Sequence, residues 1–169
     1  MTNTELGPEA LSIDERTQFR QAVSQFATGI AVVSVQAENT AEVHGMTINS
    51  FTSVSLDPPT VLISLKSGRT HGLIRNHLRF GVSVLHDEQV GLSALFSGKA
   101  PADSRPEFVV PNHSPVLRSA LAWFECEVQQ QVDIHDHTLF IARVTASGCV
   151  QGAPLLFFSS RYHRRQSWS

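Results

Sequence analysis

The stretch 44-HGMTINSFTSVSLDPP-59 decides the reading of this chain. From His44 to Phe51, small hydroxyl or amide residues alternate with apolar ones at the period of a strand. Thr47 and Asn49, followed by Phe51, share one face; Met46, Ile48 and Ser50 share the other. The alternation breaks at Thr52-Ser53-Val54-Ser55 and stops at Pro58-Pro59, where a fixed φ and a missing amide forbid helix. So many hydroxyls and amides make poor core, because each buried one needs a partner. They suit the polar edge of a flat heterocycle and the oxygens of a phosphate. Gly45 predicts a close approach by another backbone or a ligand.

Upstream, Ser12 stands three residues before Glu15, the capping-box spacing. Phe19, Ala22, Val23, Phe26 and Ala27 follow at helical intervals, predicting an amphipathic helix that Thr28-Gly29 ends. Ile30 to Val35 is β-branched and almost wholly apolar, as a strand buried on both faces should be. Glu38-Asn39-Thr40 makes the turn back into the opening stretch.

Downstream, Thr60 to Leu65 reads as a strand and runs into Lys66-Ser67-Gly68-Arg69-Thr70. A helical pattern at Leu73, Ile74 and His77 comes next. A cation, a glycine and hydroxyls at a helix start make an anion nest, and they serve equally well as an ordinary cap. Phe80 to Leu85 is a further strand and Asp87 to Phe96 a short helix. Ser97 to Pro115 is long, rich in Pro, Gly and Ser, and predicts a lid or a dimer element. From Leu121 to Ile134 the pattern alternates, with Ala122, Phe124, Cys126 and Val128 inward and Trp123, Glu125, Glu127 and Gln129 outward. His135-Asp136 turns the chain, residues 137–144 pair back, and Pro154 to Phe158 is the last strand. About seven strands without strict βαβ alternation predict a mainly β protein, an antiparallel barrel with peripheral helices.

The chain has 169 residues, 41% hydrophobic and 17% charged, enough for one domain with a real core. We place that domain at 14–165, between tails at 1–13 and 166–169. A net charge of −2 argues against a nucleic-acid grip. Arg161, His163, Arg164 and Arg165 form a local basic cluster that reads as a solvated tail, or as a contact to a pyrophosphate or a neighbouring subunit. Cys126 and Cys149 form neither a C-x-x-C motif nor a disulfide framework, which suits a reducing compartment. No signal-peptide pattern and no apolar run of ~18 residues is visible, so a cytoplasmic protein off the membrane is expected.

No G-x-G-x-x-G follows a strand, no G-x-S-x-G elbow occurs, and a Walker loop is absent. His135-Asp136-His137 invites a metal reading, but two histidines fall short of a catalytic zinc set and no metal is expected. They serve equally as polar residues flanking a turn.

Together with 26-FATGIAVVSV-35 before it and 136-DHTLFIARV-144 after it, the opening stretch resembles the flavin reductase family. These are the small components of two-component flavin-dependent monooxygenases, with an FMN-binding split-barrel fold, and the resemblance covers roughly residues 16–165. It implies an NAD(P)H:flavin oxidoreductase that passes hydride from NADH or NADPH to FMN or FAD. The reduced flavin would then reach a partner monooxygenase by diffusion. It also implies a homodimer with sites at the interface, for which the Ser97–Pro115 segment and the Trp123 face are suited. Thr47, Ile48, Asn49 and Ser50, with the backbone at Ser53, Val54 and Ser55, would hold the isoalloxazine edge. Lys66, Ser67 and Thr70 would hold the phosphates, and Ser64 and Leu65 would also contact the cofactor. Pro154 and Phe157 would wall the nicotinamide, unless they are only strand start and core. His137 would orient the nicotinamide. In similar proteins this turn is usually Gly-Asp-His, so His135 replaces a glycine, at a cost of about 1 kcal/mol if φ is positive there. Arg105, in Ser104-Arg105-Pro106-Glu107-Phe108, departs from the family's Asp-Arg-Phe pattern. Two other readings stand beside this one: a split-barrel oxidase that retains its flavin, and a flavin-binding protein without catalysis.

Overall fold

A computed structural model describes residues 12–99 and 106–164. In chain order the elements are α1 (Ile13–Ser24), β1 (Thr28–Gly29), β2 (Ala31–Gln36), β3 (Val43–Ile48), β4 (Thr52–Leu56) and β5 (Pro59–Lys66). Then come α2 (Arg69–His77), β6 (Arg79–Val84), α3 (Val90–Phe96), β7 (Phe108–Val109) and β8 (Val116–Leu117). The chain ends with β9 (Ala122–Ile134), β10 (His137–Cys149), β11 (Leu156–Phe158) and β12 (Arg161–His163).

Seven of these strands form one antiparallel sheet in the order β3-β2-β6-β9-β10-β5-β4. β3 and β4 are its two edges, yet only Asn49, Ser50 and Phe51 separate them in the chain. Extended backbone covers ~3.5 Å per residue, so the edges stand no more than about 14 Å apart and the sheet has to roll up. It does not close, because β3 and β4 are not hydrogen-bonded to each other. Ser50 pins the seam: its hydroxyl donates to the Ser64 carbonyl (2.8 Å) and accepts from the Ser64 amide (3.2 Å). The expected split barrel is therefore the observed one, and the seam is the stretch that opened the sequence reading.

The barrel interior holds Val33, Ile63, Leu65, Phe80, Cys126 and Phe140. A second cluster outside the wall holds Val32, Leu85, Leu117 and Leu155, with Trp123 and Phe157 packed on it. β2 feeds both, which is why its sequence is apolar on both faces. Cys126 is a packing residue, its thiol pushed up to about 12 by burial and then by Glu125.

Four expectations need correction. The outward parity of Trp123 and Glu125 does not leave them in water: Glu125 is fully buried and Trp123 packs in the second cluster, so neither offers an open face. Residues 112–117 cover that face, held by a Ser34 hydroxyl donating to the Pro115 carbonyl (2.6 Å) and a Leu117 amide donating to Ser83 Oγ (2.9 Å). A Cβ at Gly81 would collide with that same Pro115 carbonyl, so only glycine admits the crossing. Gly45 is approached by the Phe96 ring, 2.6 Å from where its Cβ would stand, and not by backbone or ligand. Thr28-Gly29 does not end α1, which stops at Ser24; it forms β1 and pairs with Phe157 and Leu156. Arg161 and His163 lie in β12, paired with β11, and not in a solvated tail.

The capping box forms as read, with Ser12 and Glu15 bonding each other's backbone at 2.8 and 3.2 Å. α1 nevertheless buries nothing, and Phe19 (63%), Val23 (54%) and Phe26 (77%) stay exposed. No helix among the described residues is long and apolar enough to cross a membrane. Residues 1–11, Arg105 and residues 165–169 lie outside the described residues, whereas Ser12 and Ile13, expected in the tail, cap and open α1.

Candidate functional site

The pairing of β5 with β10 sets Lys66 directly opposite His137. The Ser67 amide donates to the Asp136 carbonyl at 3.2 Å, fastening the start of α2 to the hairpin tip. His135 turns that tip with φ of 54°, a left-handed conformation that costs a side chain about 1 kcal/mol. The Asp136 carboxylate then meets two partners, His137 Nδ1 at 2.8 Å and Lys66 Nζ at 3.4 Å. A carboxylate only accepts, so Nδ1 carries the proton and Nε2 is left for a ligand. The His137 hydrogen bond, and after it Lys66, hold the Asp136 carboxyl below its usual range against the cost of desolvation.

Behind this tip lies a tighter network. The Thr138 hydroxyl donates to Asp133 Oδ1 (2.7 Å), and Arg75 grips the same carboxylate through two nitrogens at 2.7 and 2.9 Å. Thr138 has one proton and gives it to Asp133. Buried His71 must therefore donate from Nε2 across the 2.8 Å to Thr138 Oγ1. Burial, and then Arg75, lower the His71 pKa, which keeps that ring neutral. Asp133 falls to about 2, chiefly through the Arg75 hydrogen bond.

A carboxyl depressed on folding contributes stability above its unfolded pKa, near 4, and loses it as pH falls toward the folded value. The stability gap between the native chain and Asp133→Asn should therefore be full above pH ~4 and shrink between pH ~4 and ~2 in urea titrations. A gap that ignores pH over that window contradicts the pairing.

A second group of residues surrounds a cleft of about 390 Å³ lined by Phe26, Thr28, Asn49, Phe51, Ser53 and Val84, among others. Asn49 and Ser53 are exposed there. The Thr28 hydroxyl is buried and has no hydrogen-bond partner. Buried polar atoms are seldom left so, which makes Thr28 a candidate contact for a ligand atom.

Several expected residues are otherwise engaged. Thr47 gives its hydroxyl proton to the Ser93 carbonyl (2.8 Å) and so holds α3. Ser50 and Ser64 bond each other across the seam, and Ser55 closes the Asp57 turn. Ile48 and Leu65 point into the core, so only their backbone could reach a ligand. Thr70 is buried, with its hydroxyl toward the Gly45 carbonyl (3.4 Å) and away from an open helix end. Half-buried Phe157 meets Tyr162 edge-on at 5.5 Å and packs against the second core, and half-buried Pro154 bridges to His86. Asn49, Ser53, Val54, Lys66, Ser67 and His137 remain accessible.

Thr28 and Asp136 were not read as site residues. Their signal lay in the quoted motifs: both stand inside segments that carried the resemblance, but parity and periodicity give neither a role. A larger groove of about 760 Å³ near His77 and Arg79 brings in none of the expected residues, and its charges are already paired, His77 with Glu38 and Arg79 with Glu127. Among the described residues no group of three or more His, Cys, Asp or Glu could hold a metal.

Residues 23–166 match the family described as flavin reductase like domain. A curated relative, the NADH-dependent flavin reductase StyB of Pseudomonas fluorescens, is 58% identical over 158 residues, covering 91% of this chain and 92% of its own. The solved flavin reductase of the Pseudomonas putida S12 styrene monooxygenase superposes with a TM-score of 0.81 at 59% identity, covering 86% of this chain and 95% of the other. The Streptomyces globisporus NADH:FAD oxidoreductase SgcE6, solved with NAD and FAD fragments, superposes at 0.79 with 31% identity over 92% of this chain and 96% of its own.

Proposed function

The chain belongs to the flavin reductase-like family, and from that premise we propose that the Thr28 cleft and the Lys66–Asp136–His137 cluster seat its two substrates. The enzyme is an NADH-dependent oxidoreductase that reduces FMN or FAD for use by a monooxygenase component. Hydride passes from nicotinamide C4 to flavin N5 once the rings lie in van der Waals contact, so orientation supplies most of the acceleration. The protein's part is therefore to hold ring edges and phosphates. Thr28 donates its free hydroxyl to the flavin ring, and Asn49 and Ser53 bond along its polar edge. Lys66 and the Ser67 hydroxyl take the phosphate. His137 Nε2 meets the nicotinamide carboxamide.

The observation that carries this reading is the buried, unpartnered Thr28 hydroxyl in a cleft shared with Asn49 and Ser53. Anaerobic mixing with NADH and excess free FMN tests it. Many equivalents of flavin should bleach per chain, whereas reduction of one bound equivalent would indicate an oxidase that keeps its flavin. Lys66→Ala with Ser67→Ala should weaken FMN binding about tenfold and leave riboflavin, which has no phosphate, within about twofold. Equal losses for both flavins would remove the phosphate assignment.

The reduced flavin leaves by diffusion, a reading supported by the exposure of Lys66 and His137 at the hairpin tip. The working particle is a homodimer, supported by the uncovered apolar residues of α1. Sedimentation should give a two-chain mass. Two free cysteines support a reducing, cytoplasmic setting.

A further inference from the structure

Asp136 serves two partners at once, with Oδ1 on His137 Nδ1 and Oδ2 on Lys66 Nζ. Both are surface pairs: the Lys66 side chain is 68% exposed and that of His137 44%, so either can be exchanged for a ligand. The hairpin that carries them is not loose. Thr138, the next residue, is buried and tied to Asp133 and His71, and Asp133 is gripped by Arg75. Lys66 can therefore leave Asp136 without dragging His137 out of place.

We infer that Asp136 is a positioning residue through which occupancy of the phosphate seat is passed to His137. When a phosphate draws Lys66 away, the Asp136 carboxylate keeps His137 as its remaining side-chain partner. The Nδ1–H···O bond then strengthens and the imidazolium is favoured. A flavin with a phosphate thus favours, more than riboflavin does, a ring protonated on both nitrogens beside the nicotinamide carboxamide. No bond between heavy atoms is made or broken; an Nε2–H bond forms with a proton that a solvent oxygen gives up. The charged and titratable groups around the tip are Lys66 from β5, Arg75 and His71 from α2, Asp133 from β9 and His135 in the turn. Arg75, His71 and Asp133 already satisfy one another, so Lys66 is the charge that a ligand can move.

The inference rests on the phosphate seat proposed above at Lys66 and Ser67. Its test is a ring-nitrogen NMR titration of His137 in the full chain with oxidised riboflavin, and again with oxidised FMN, both saturating. The midpoint with FMN should lie about half a pH unit above that with riboflavin. In Asp136→Asn the two midpoints should coincide. Coincident midpoints in the native chain overturn the coupling, as does a difference that persists in Asp136→Asn, since that would be the phosphate acting directly. Affinities separate this failure from that of the seat. Tight FMN binding that depends on Lys66, with coincident midpoints, fails the coupling alone. FMN binding indifferent to Lys66→Ala fails the seat, and the coupling with it.

Discussion

Replacing Glu125 by alanine should lower the unfolding free energy by about 4 kcal/mol. Glu125 is fully buried near the start of β9. Its Oε1 accepts the backbone amides of Asn112 (3.0 Å), His113 (2.7 Å) and Ser114 (2.8 Å), and Oε2 accepts Asn112 Nδ2 at 2.6 Å. Burial pushes this carboxyl up, and the four hydrogen bonds together more than reverse that, so it remains ionised. Removing it strands the buried Ser114 amide and takes the partner from those of half-buried His113 and exposed Asn112, and a buried group left so costs about 1–3 kcal/mol. It also frees the segment that covers β9, and with it the Ser34 bond to Pro115. Glutamine keeps the volume and one acceptor but points its NH₂ at the Asn112 donor, so about half the loss is expected. Because the folded pKa is depressed, the contribution of Glu125 is present above the unfolded value and fades as pH falls through the folded one. Urea unfolding at pH 7 measures it. A loss below about 1 kcal/mol for the alanine variant would mean that the 112–117 segment is held by something else.

That prediction could not have been made from sequence, for a physical reason. Period-two alternation says that Trp123 and Glu125 share a face opposite Cys126, and they do. It cannot say that a segment a dozen residues upstream folds over that face, because that contact depends on Gly81 and Ser34 from two other strands. The barrel wall was legible because β2 is apolar on both faces and the double proline closes a hairpin, and both facts are local. The N-terminal helix shows the same division. Its capping box is set by residues three apart and formed as read, whereas what covers Phe19 and Phe26 is decided elsewhere. The candidate site divides in this way too. Lys66 was singled out by the cation, glycine and hydroxyls of residues 66–70 before a helix, and His137 only by the resemblance of its turn to the family's Gly-Asp-His. Thr47 and Asn49 share a strand face, but α3 arrives over Thr47 and leaves Asn49 open, and nothing within residues 44–59 distinguishes them.

His137→Ala is the second large effect, and it falls on catalysis. The efficiency with NADH, kcat/KM, should drop about a hundredfold, while the dissociation constant for FMN stays within about twofold. The asymmetry follows from where the ring stands. Nδ1 is committed to Asp136, which fixes the ring plane and directs Nε2 toward whatever occupies the site. Lys66 is the cross-strand partner of His137 and reaches Asp136 independently, so the phosphate seat survives the loss of the imidazole. The hairpin survives as well, because Thr138 and Asp133 anchor it to α2 with bonds of 2.7 and 2.8 Å that do not involve residue 137. The side chain is 44% exposed, so its removal should cost the fold no more than about 0.5 kcal/mol. What disappears, on the assignment proposed for His137, is the group that holds the nicotinamide at the stacking angle, and small misplacements of reacting atoms are costly in rate. Glutamine, whose amide nitrogen can reach close to the position of Nε2, should recover part of the loss where alanine recovers none. Stopped-flow reduction under saturating FMN measures the first constant, and an equilibrium titration with FMN measures the second. If FMN affinity falls in step with NADH use, His137 belongs to the flavin seat and the division of labour between Lys66 and His137 is wrong.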